Sequence, residues 1–571
     1  MRGVSARQRS WSIWVACVVC SVAVAAAWLI VSVSNDPSVG SLVRYLLVGF
    51  GAIAVVLAVV VGFQLGFRRI GLPTRRVWYH LPALAAGALL SAVAVSQLGS
   101  ITGSTYSLVA ILAAVGCVGA LLLAFARTDS WGLGAFIVTY PFLAFLEWDP
   151  GSRLDLVYWL GPVAISPSIV FLWALVGATL LGRLVRRTGF VGGSSHKYVI
   201  GWSLLLLLSS LTSIRPLESL QEFYLNALTL PLFYWVAVNQ INSKISLTRI
   251  IYAVIAFSVL RAAISYYLYA RYSLAADSTF TDALVGISDP AIYRVVAHSD
   301  FLAWVTSFPL PLVLVMAMVN PSRRARFGLL LVLVFLVLVL FISNRRAPIV
   351  VSSAVLPLAL LLWLRRDGKM TFAVPALVLL GATVVSYRVL AEPILFQRFS
   401  EWGSVQDFSY EQRWRLDAWQ AGLQILKGYP LLGIGFGAWT DYYPFYSQYQ
   451  PSGLWLQHVM NKPHNMFIHY AVAGGIGALV CWTALLTTAL RNALGAWRRS
   501  QDVEVQLLAS ALFWSLLMVV LTGALGGVNS MVMKSWTITT GVDGGLLFWT
   551  ILGGIASLER IKDFAAETPS A

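Results

Sequence analysis

Apolar runs recur along almost the whole chain, and most approach the roughly 20 residues that a helix needs to cross a bilayer. They fall at about 11–34, 43–66, 81–98, 106–126, 131–147, 164–183, 198–213, 221–239, 248–270, 300–319, 327–343, 347–364, 371–391, 464–490, 505–525 and 541–557. Charged residues make up 11% of the 571 residues and hydrophobic ones 58%, where an ordinary soluble domain carries about 25% charged residues. So few charges exclude a soluble enzyme and a disordered scaffold. The sequence predicts an all-α fold, a polytopic transmembrane helix bundle of about 14–16 spans. Pro141, Pro162 and Pro167 interrupt the pattern between 131 and 183, and Arg215 and Glu218 separate two runs between 198 and 239. The first run is long, lacks a clear small-residue cleavage site and reads as a span. The 22 Trp and 22 Tyr read as anchors at two water–lipid interfaces.

The net charge of +16 would suggest nucleic acid in a soluble protein. Here it follows from basic residues in alternate short loops, so no nucleic-acid partner is expected. Arg2, Arg7 and Arg9 precede the first run, and later clusters include Arg68, Arg69, Arg75 and Arg76, then Arg183, Arg186 and Arg187, then Arg323, Arg324 and Arg326. The positive-inside rule puts these loops and both termini in the cytoplasm. Cys17, Cys20, Cys117 and Cys481 lie inside apolar runs, against a disulfide framework or a metal site.

The segment 392–463 is the longest connection and falls on the extracytoplasmic side. Loops of that length are usually functional or disordered, and this one is rich in Trp and Tyr rather than low in complexity. Within it, residues 410–427 read as an amphipathic helix stopped by Gly428 and Pro430. Trp414, Ala418, Leu423 and Leu426 form its apolar set, with Arg413, Asp417 and Gln424 elsewhere on its surface. Trp439, Tyr442, Tyr443, Phe445, Tyr446 and Tyr449 could stack on sugar rings or anchor the loop at the interface.

The same topology puts several arginines on the side where the positive-inside rule disfavours them: Arg215, Arg294, Arg345, Arg346, Arg388, Arg398, Arg413 and Arg415. Such residues near a bilayer are functional candidates. The guanidinium fork matches phosphate oxygens, so their convergence points to a phosphate-bearing ligand. For any one of them, snorkelling to lipid phosphates is the plainer role. Of the six histidines, His464 follows Pro463 at a helix start and is placed as a general base. His464 and His469 are five apart, a poor spacing for a shared metal.

The run from Arg415 through Trp419, Pro430, Gly433, Gly435 and Gly437, followed by His464, Asn465 and Gly475, resembles the signature region of the O-antigen ligase/polymerase superfamily. Ser213–Pro216 and Ser343–Ala347 fit two looser family stretches, with either Arg345 or Arg346 as the family arginine. Ala473 and Ala478 depart from the Glu and Gly that many members carry there. The likeness covers about 205–490.

The resemblance implies a GT-C-like membrane glycosyltransferase of the bacterial inner membrane. It would move a glycan from a polyprenyl-pyrophosphate carrier to a glycan or glycolipid acceptor on the extracytoplasmic face, with inversion and with no metal or cofactor. His464 would act on the acceptor hydroxyl and Arg415 on the pyrophosphate. Arg345, Arg346, Arg215 and Arg413 would add pyrophosphate contacts. Asn465 and Trp419 would shape the site, and Gly433, Gly435 and Gly437 would either let backbone approach the donor or form a plain turn after the amphipathic helix. The implied organisation is an N-terminal scaffold at 1–197, a catalytic region at 198–490 and C-terminal spans with a short tail at 491–571. The competing class is a membrane transporter or lipid-linked glycan flippase, although no internal repeat of the kind common in transporters is evident.

Overall fold

The computed structural model describes parts of 132–140, the strands at 158–160 and 163–165, and residues 167–185, 188–276, 299–320, 322–343, 346–367, 405–448, 462–525 and 538–567. The runs expected at 11–34, 43–66, 81–98, 106–126 and 371–391 lie outside the described residues, as do Cys17, Cys20, Cys117, Arg294, Arg345, Arg388 and Arg398.

The chain divides into two compact units. The described part of the first holds a short helical stretch with buried Leu133, Phe136, Ile137 and Tyr140, and α1 (Pro167–Val185). Its start at Pro167 suits a first helical position, where the missing N–H is not needed.

The described part of the second unit is helical apart from one small antiparallel hairpin, β1 (Tyr158–Leu160) with β2 (Val163–Ile165). Its helices are α2 (His196–Leu211), α3 (Pro216–Phe223), α4 (Leu230–Gln240), α5 (Lys244–Ala276), α6 (Ser299–Ser307), α7 (Leu310–Val319), α8 (Arg323–Ile342) and α9 (Arg346–Asp367). Then come α10 (Val405–Gly428), α11 (Trp439–Tyr446), α12 (Met466–Arg499), α13 (Val503–Ala524) and α14 (Ile538–Glu567). Among the described residues, Lys244–Ala263, Leu302–Val319, Met466–Arg499 and Val503–Ala524 are long and apolar enough to cross a membrane. The fold is the all-α polytopic type expected from the hydropathy pattern.

Breaks interrupt several of the described apolar runs. The run at 300–319 is interrupted between α6 and α7 at Pro309, whose ring cannot continue a helix. The run at 221–239 begins earlier, at Pro216, and passes through a π-helical turn at Tyr224–Thr229 before α4. Asn226 holds that turn by donating to the Glu222 carbonyl at 3.0 Å and to Glu222 Oε2 at 2.8 Å.

Trp202, Trp482 and Trp549 are fully buried, which corrects the interfacial reading for these three. Trp202 lies 5.1 Å from Tyr470, 5.3 Å from Trp482 and 5.6 Å from Trp549. These rings fill the junction of α2, α12 and α14, where indoles supply large apolar area with tilted and edge-on contacts.

Candidate functional site: a glycine turn clamped onto a broken helix

In the described part of the long loop, α10 is the main element. Ala418, Ala421 and Ile425 are buried and pack with Ile434, Ala438, Trp439, Tyr443 and Val472. The expected apolar face is therefore rotated: Leu423 is exposed, and Asp417 is buried. The Asp417 carboxylate accepts from the Tyr443 hydroxyl at 2.7 Å, the Ser447 hydroxyl at 2.6 Å and the Gln448 N–H at 2.9 Å. It ties α10 to the end of α11. Trp439 and Tyr443 are also buried, so they belong to this core and are not free to stack on sugars. Phe445 and Tyr446 remain exposed.

After α10 the chain enters a turn in which Gly433, Gly435 and Gly437 all have positive φ, at 68°, 95° and 83°. The turn lies on a break in α12 at Gly475, φ 75°. In an unbroken helix the Ile476 N–H would reach the Val472 carbonyl. Here it donates to the Pro430 carbonyl at 2.9 Å, and Val472 instead accepts the Ile434 N–H at 2.9 Å. The Ala473 carbonyl accepts the Gly435 N–H at 3.1 Å and the Ser209 hydroxyl. The turn thus satisfies the backbone groups that the break exposes, as burial requires. A Cβ at Gly433 would stand 2.3 Å from the Val472 oxygen, and one at Gly475 would stand 2.2 Å from the Leu431 oxygen. Both positions therefore need glycine for space as well as conformation.

The turn also runs alongside α3. Gly435 abuts Ser213 and Ser219, whose hydroxyls bond at 2.8 Å, and Gly437 abuts Glu222. Arg215, at the start of α3, pairs with Asp441 of α11 at 2.6 Å and with Glu218 at 3.2 Å. Burial pushes the Asp441 carboxyl above its ordinary range, against the pull of Arg215.

His464 and Asn465 precede α12. His464 is half-buried with φ 51°, in the left-handed region that few non-glycine residues enter. Asn465 caps the helix: its side-chain oxygen accepts from the Phe467 N–H at 2.9 Å and the Ile468 N–H at 3.2 Å. Its amide donates to the Ala524 carbonyl at 2.9 Å. Arg415 Nη1 lies 3.4 Å from the next carbonyl, that of Leu525. The structure therefore brings Arg415 and the His464–Asn465 segment to the same end of α13. Trp419 lies one turn further along α10 and is half-buried. Arg346 and Arg413 are placed by their backbones at the start of α9 and within α10; their side chains, like all of Arg345, lie outside the described residues.

Three charged residues stand out only in the structure. Arg261 is 2% exposed within α5, a costly place for a cation. Glu222 lies beside the glycine turn, against Gly437, and Lys462 lies just before His464. Burial pushes the Lys462 ammonium down to about 8, against the pull of Glu222. The signal for Lys462 was its position two residues before His464; nothing in the local pattern marked Glu222 or Arg261. Among the described residues, no three His, Cys, Asp or Glu side chains gather as metal ligands.

A cavity of about 780 Å³ lies on another flank of α10, lined by Asp417, Gln420, Gln424, Lys427, Tyr446 and Ile476 among others. None of the candidate catalytic residues lines it.

A polytopic helical membrane protein, with a glycine turn clamped on a broken helix and an Arg/His–Asn pair at one helix end, is the class that fold and site define. Residues 329–483, from α8 into α12, match the family model described as O-antigen ligase. The likeness to the O-antigen ligase/polymerase superfamily holds over that stretch, which includes Arg415, the glycine turn, His464, Asn465 and Gly475. The matched family is one of membrane glycan processing. No curated protein matches the chain.

Proposed function

We propose that this protein is an extracytoplasmic glycan ligase or polymerase of the bacterial inner membrane. It takes a glycan from a polyprenyl-pyrophosphate carrier and joins it to an acceptor sugar hydroxyl. One observation carries the reading: Arg415 and Asn465 reach consecutive carbonyls at the end of α13, which sets a guanidinium beside the segment bearing His464.

The chemistry follows from that arrangement. The acceptor oxygen attacks the anomeric carbon from the side opposite the carrier, and the bond to the pyrophosphate breaks, so configuration inverts. His464 takes the hydroxyl proton as general base, a role commonly worth about 10²–10⁴-fold in rate. Negative charge grows on the departing diphosphate, and fixed cations in a water-poor site stabilise such charge. Arg415 supplies that charge, with Arg215 at the rim and Arg345, Arg346 and Arg413 as further contacts. Gly433, Gly435 and Gly437 keep backbone rather than side chain at the turn, and Trp419 flanks Arg415 on α10. Neither metal nor nucleotide enters the scheme, because the sugar arrives already activated on lipid.

The test is reconstitution of the full chain in liposomes with a polyprenyl-pyrophosphate-linked oligosaccharide and glycan or glycolipid acceptors. Transfer with release of polyprenyl pyrophosphate is expected. Movement of the intact lipid-linked glycan across the bilayer with no new glycosidic bond would overturn the enzyme reading in favour of a flippase.

A further inference from the structure

The cavity of about 780 Å³ beside α10 falls within the roughly 300–1,000 Å³ of ligand pockets. Asp417, Gln420, Gln424 and Lys427 all line it, at the three- and four-residue spacing that puts side chains on one helix face. Arg415 stands two residues before Asp417, about 200° around the helix. The cavity therefore lies on the side of α10 turned away from Arg415.

Asp417 is 4% exposed, yet it forms part of the lining. Its Oδ2 accepts from the Tyr443 and Ser447 hydroxyls, whereas Oδ1 accepts from the Gln448 N–H alone among the described residues. A carboxylate offers about four acceptor sites, so Oδ1 keeps capacity for a further hydroxyl. The same bond fixes the backbone of Gln448, whose exposed side chain joins the lining. Tyr446 is 38% exposed, and a Cβ on Gly428 would lie 3.8 Å from its hydroxyl oxygen, which sets the phenol at the end of α10. Leu423 and Ile476 add exposed aliphatic surface. The Ile476 N–H is held by the Pro430 carbonyl, so the bond that heals the break in α12 also fixes this wall.

Three carboxamides, a carboxylate edge, an exposed phenol and aliphatic patches match the surface of a sugar chain. Each amide both donates and accepts, as a hydroxyl does, and the phenol ring offers an apolar face with a polar tip. An acyl chain would desolvate the amides without pairing them, at a cost. We propose that this cavity is a second glycan site, which holds sugars of an oligosaccharide beyond the one that reacts. This rests on the glycan-transfer reading above. The held sugars are bound alike before and during reaction, so the site lowers KM for long glycans and leaves kcat nearly alone.

The test compares kcat/KM for the full reconstituted chain with polyprenyl-pyrophosphate-linked donors carrying one sugar or an oligosaccharide, and with short and long acceptors. Wild type is expected to favour long glycans. Gln424→Ala and Tyr446→Ala change exposed side chains, and each should lower the long-to-short ratio about fivefold or more, chiefly through KM. Lengthening donor and acceptor separately shows which supplies the held sugars, and discrimination in neither overturns the inference. So does an unchanged ratio in both variants. A ratio that stays fixed while the variants become sensitive to the acyl-chain length of the vesicle lipid would make the occupant a lipid, and also overturns it. A wild-type chain that transfers no glycan sinks the function itself. Titration of that chain in nanodiscs with the free oligosaccharide then decides the cavity: binding that both variants weaken upholds it, and no binding overturns it.

Discussion

Arg215 holds Asp441 at 2.6 Å, linking the start of α3 to the first turn of α11. The guanidinium is half exposed, whereas Asp441 is mostly enclosed. If Arg215 contacts donor phosphate as proposed, a carboxylate sits where that phosphate oxygen would bind. Exposed ion pairs stabilise folds by only about 0–1 kcal/mol, so the pair is a weak brace that a dianionic ligand can displace.

Asp441→Asn removes the competing charge and keeps the shape. Donor KM is expected to fall about two- to fivefold with little change in melting temperature. Donor titration in reconstituted membranes checks this. A raised KM would show instead that Asp441 orients Arg215 for binding.

Gly433 and Gly475 make a prediction about stability. Each combines a positive φ with a backbone oxygen closer than 2.5 Å to any added Cβ. Left-handed backbone costs an ordinary residue about 1–2 kcal/mol before any clash. Gly433→Ala and Gly475→Ala should each lower the melting temperature in detergent and abolish transfer. Gly495 in α12 has open space around the Cβ position, so Gly495→Ala should be neutral or stabilise by up to about 1 kcal/mol. Equal effects at all three positions would show that the glycine turn is not clamped as described.

Hydropathy made the spans legible because length and apolar content are local properties. The break around Arg215 was also readable, since charge acts locally, whereas the one at Pro309 was passed over: 300–319 reads as a single run. The amphipathic helix was found but its face was misjudged: Asp417 is inside and Leu423 outside. Partners on α11 that satisfy Asp417 decide that face, and no periodicity encodes them. Gly475 was singled out by family spacing, while its physical role needed the distant Pro430 carbonyl. Glu222 and Arg261 escaped for the same reason. A charge is read as surface unless a tertiary partner is known, and both lie in otherwise ordinary helical sequence.

Asp502 supplies a pH dependence. It caps α13, accepting from the Glu504 N–H at 2.8 Å and the Val505 N–H at 3.3 Å. It also pairs with Lys244 at 2.8 Å. Burial alone would raise its carboxyl, but the Lys244 bond and these backbone bonds hold it below the ordinary range. A depressed carboxyl stabilises the fold above its unfolded value of about 3.9, and that contribution is lost as pH falls through the lower folded value. Melting temperature should therefore drop below about pH 4 in wild type, and less steeply in Asp502→Asn. The latter keeps a good cap and loses only the charge. Parallel acid profiles for the two proteins would assign the acid sensitivity to other groups.

Arg415 and His464 carry the sharpest prediction. Arg415 reaches the α13 terminus at Leu525, beside the Asn465–Ala524 bond. The partial negative charge of a helix C-terminus favours a cation there, so Arg415 is held in place without needing the donor. Removing it should leave insertion and folding intact while deleting the charge that, in the proposed scheme, meets the diphosphate. Arg415→Ala is expected to lower transfer at least about 100-fold, with a melting temperature close to wild type. Arg415→Lys should rescue little, because a single ammonium lacks the planar fork. His464→Ala should cost a similar factor through the lost base. The double variant should be barely worse than either single one, since residues that act in one step are not additive. Independent, multiplying losses would mean that the two side chains serve different steps, and the shared site at the end of α13 would have to be abandoned.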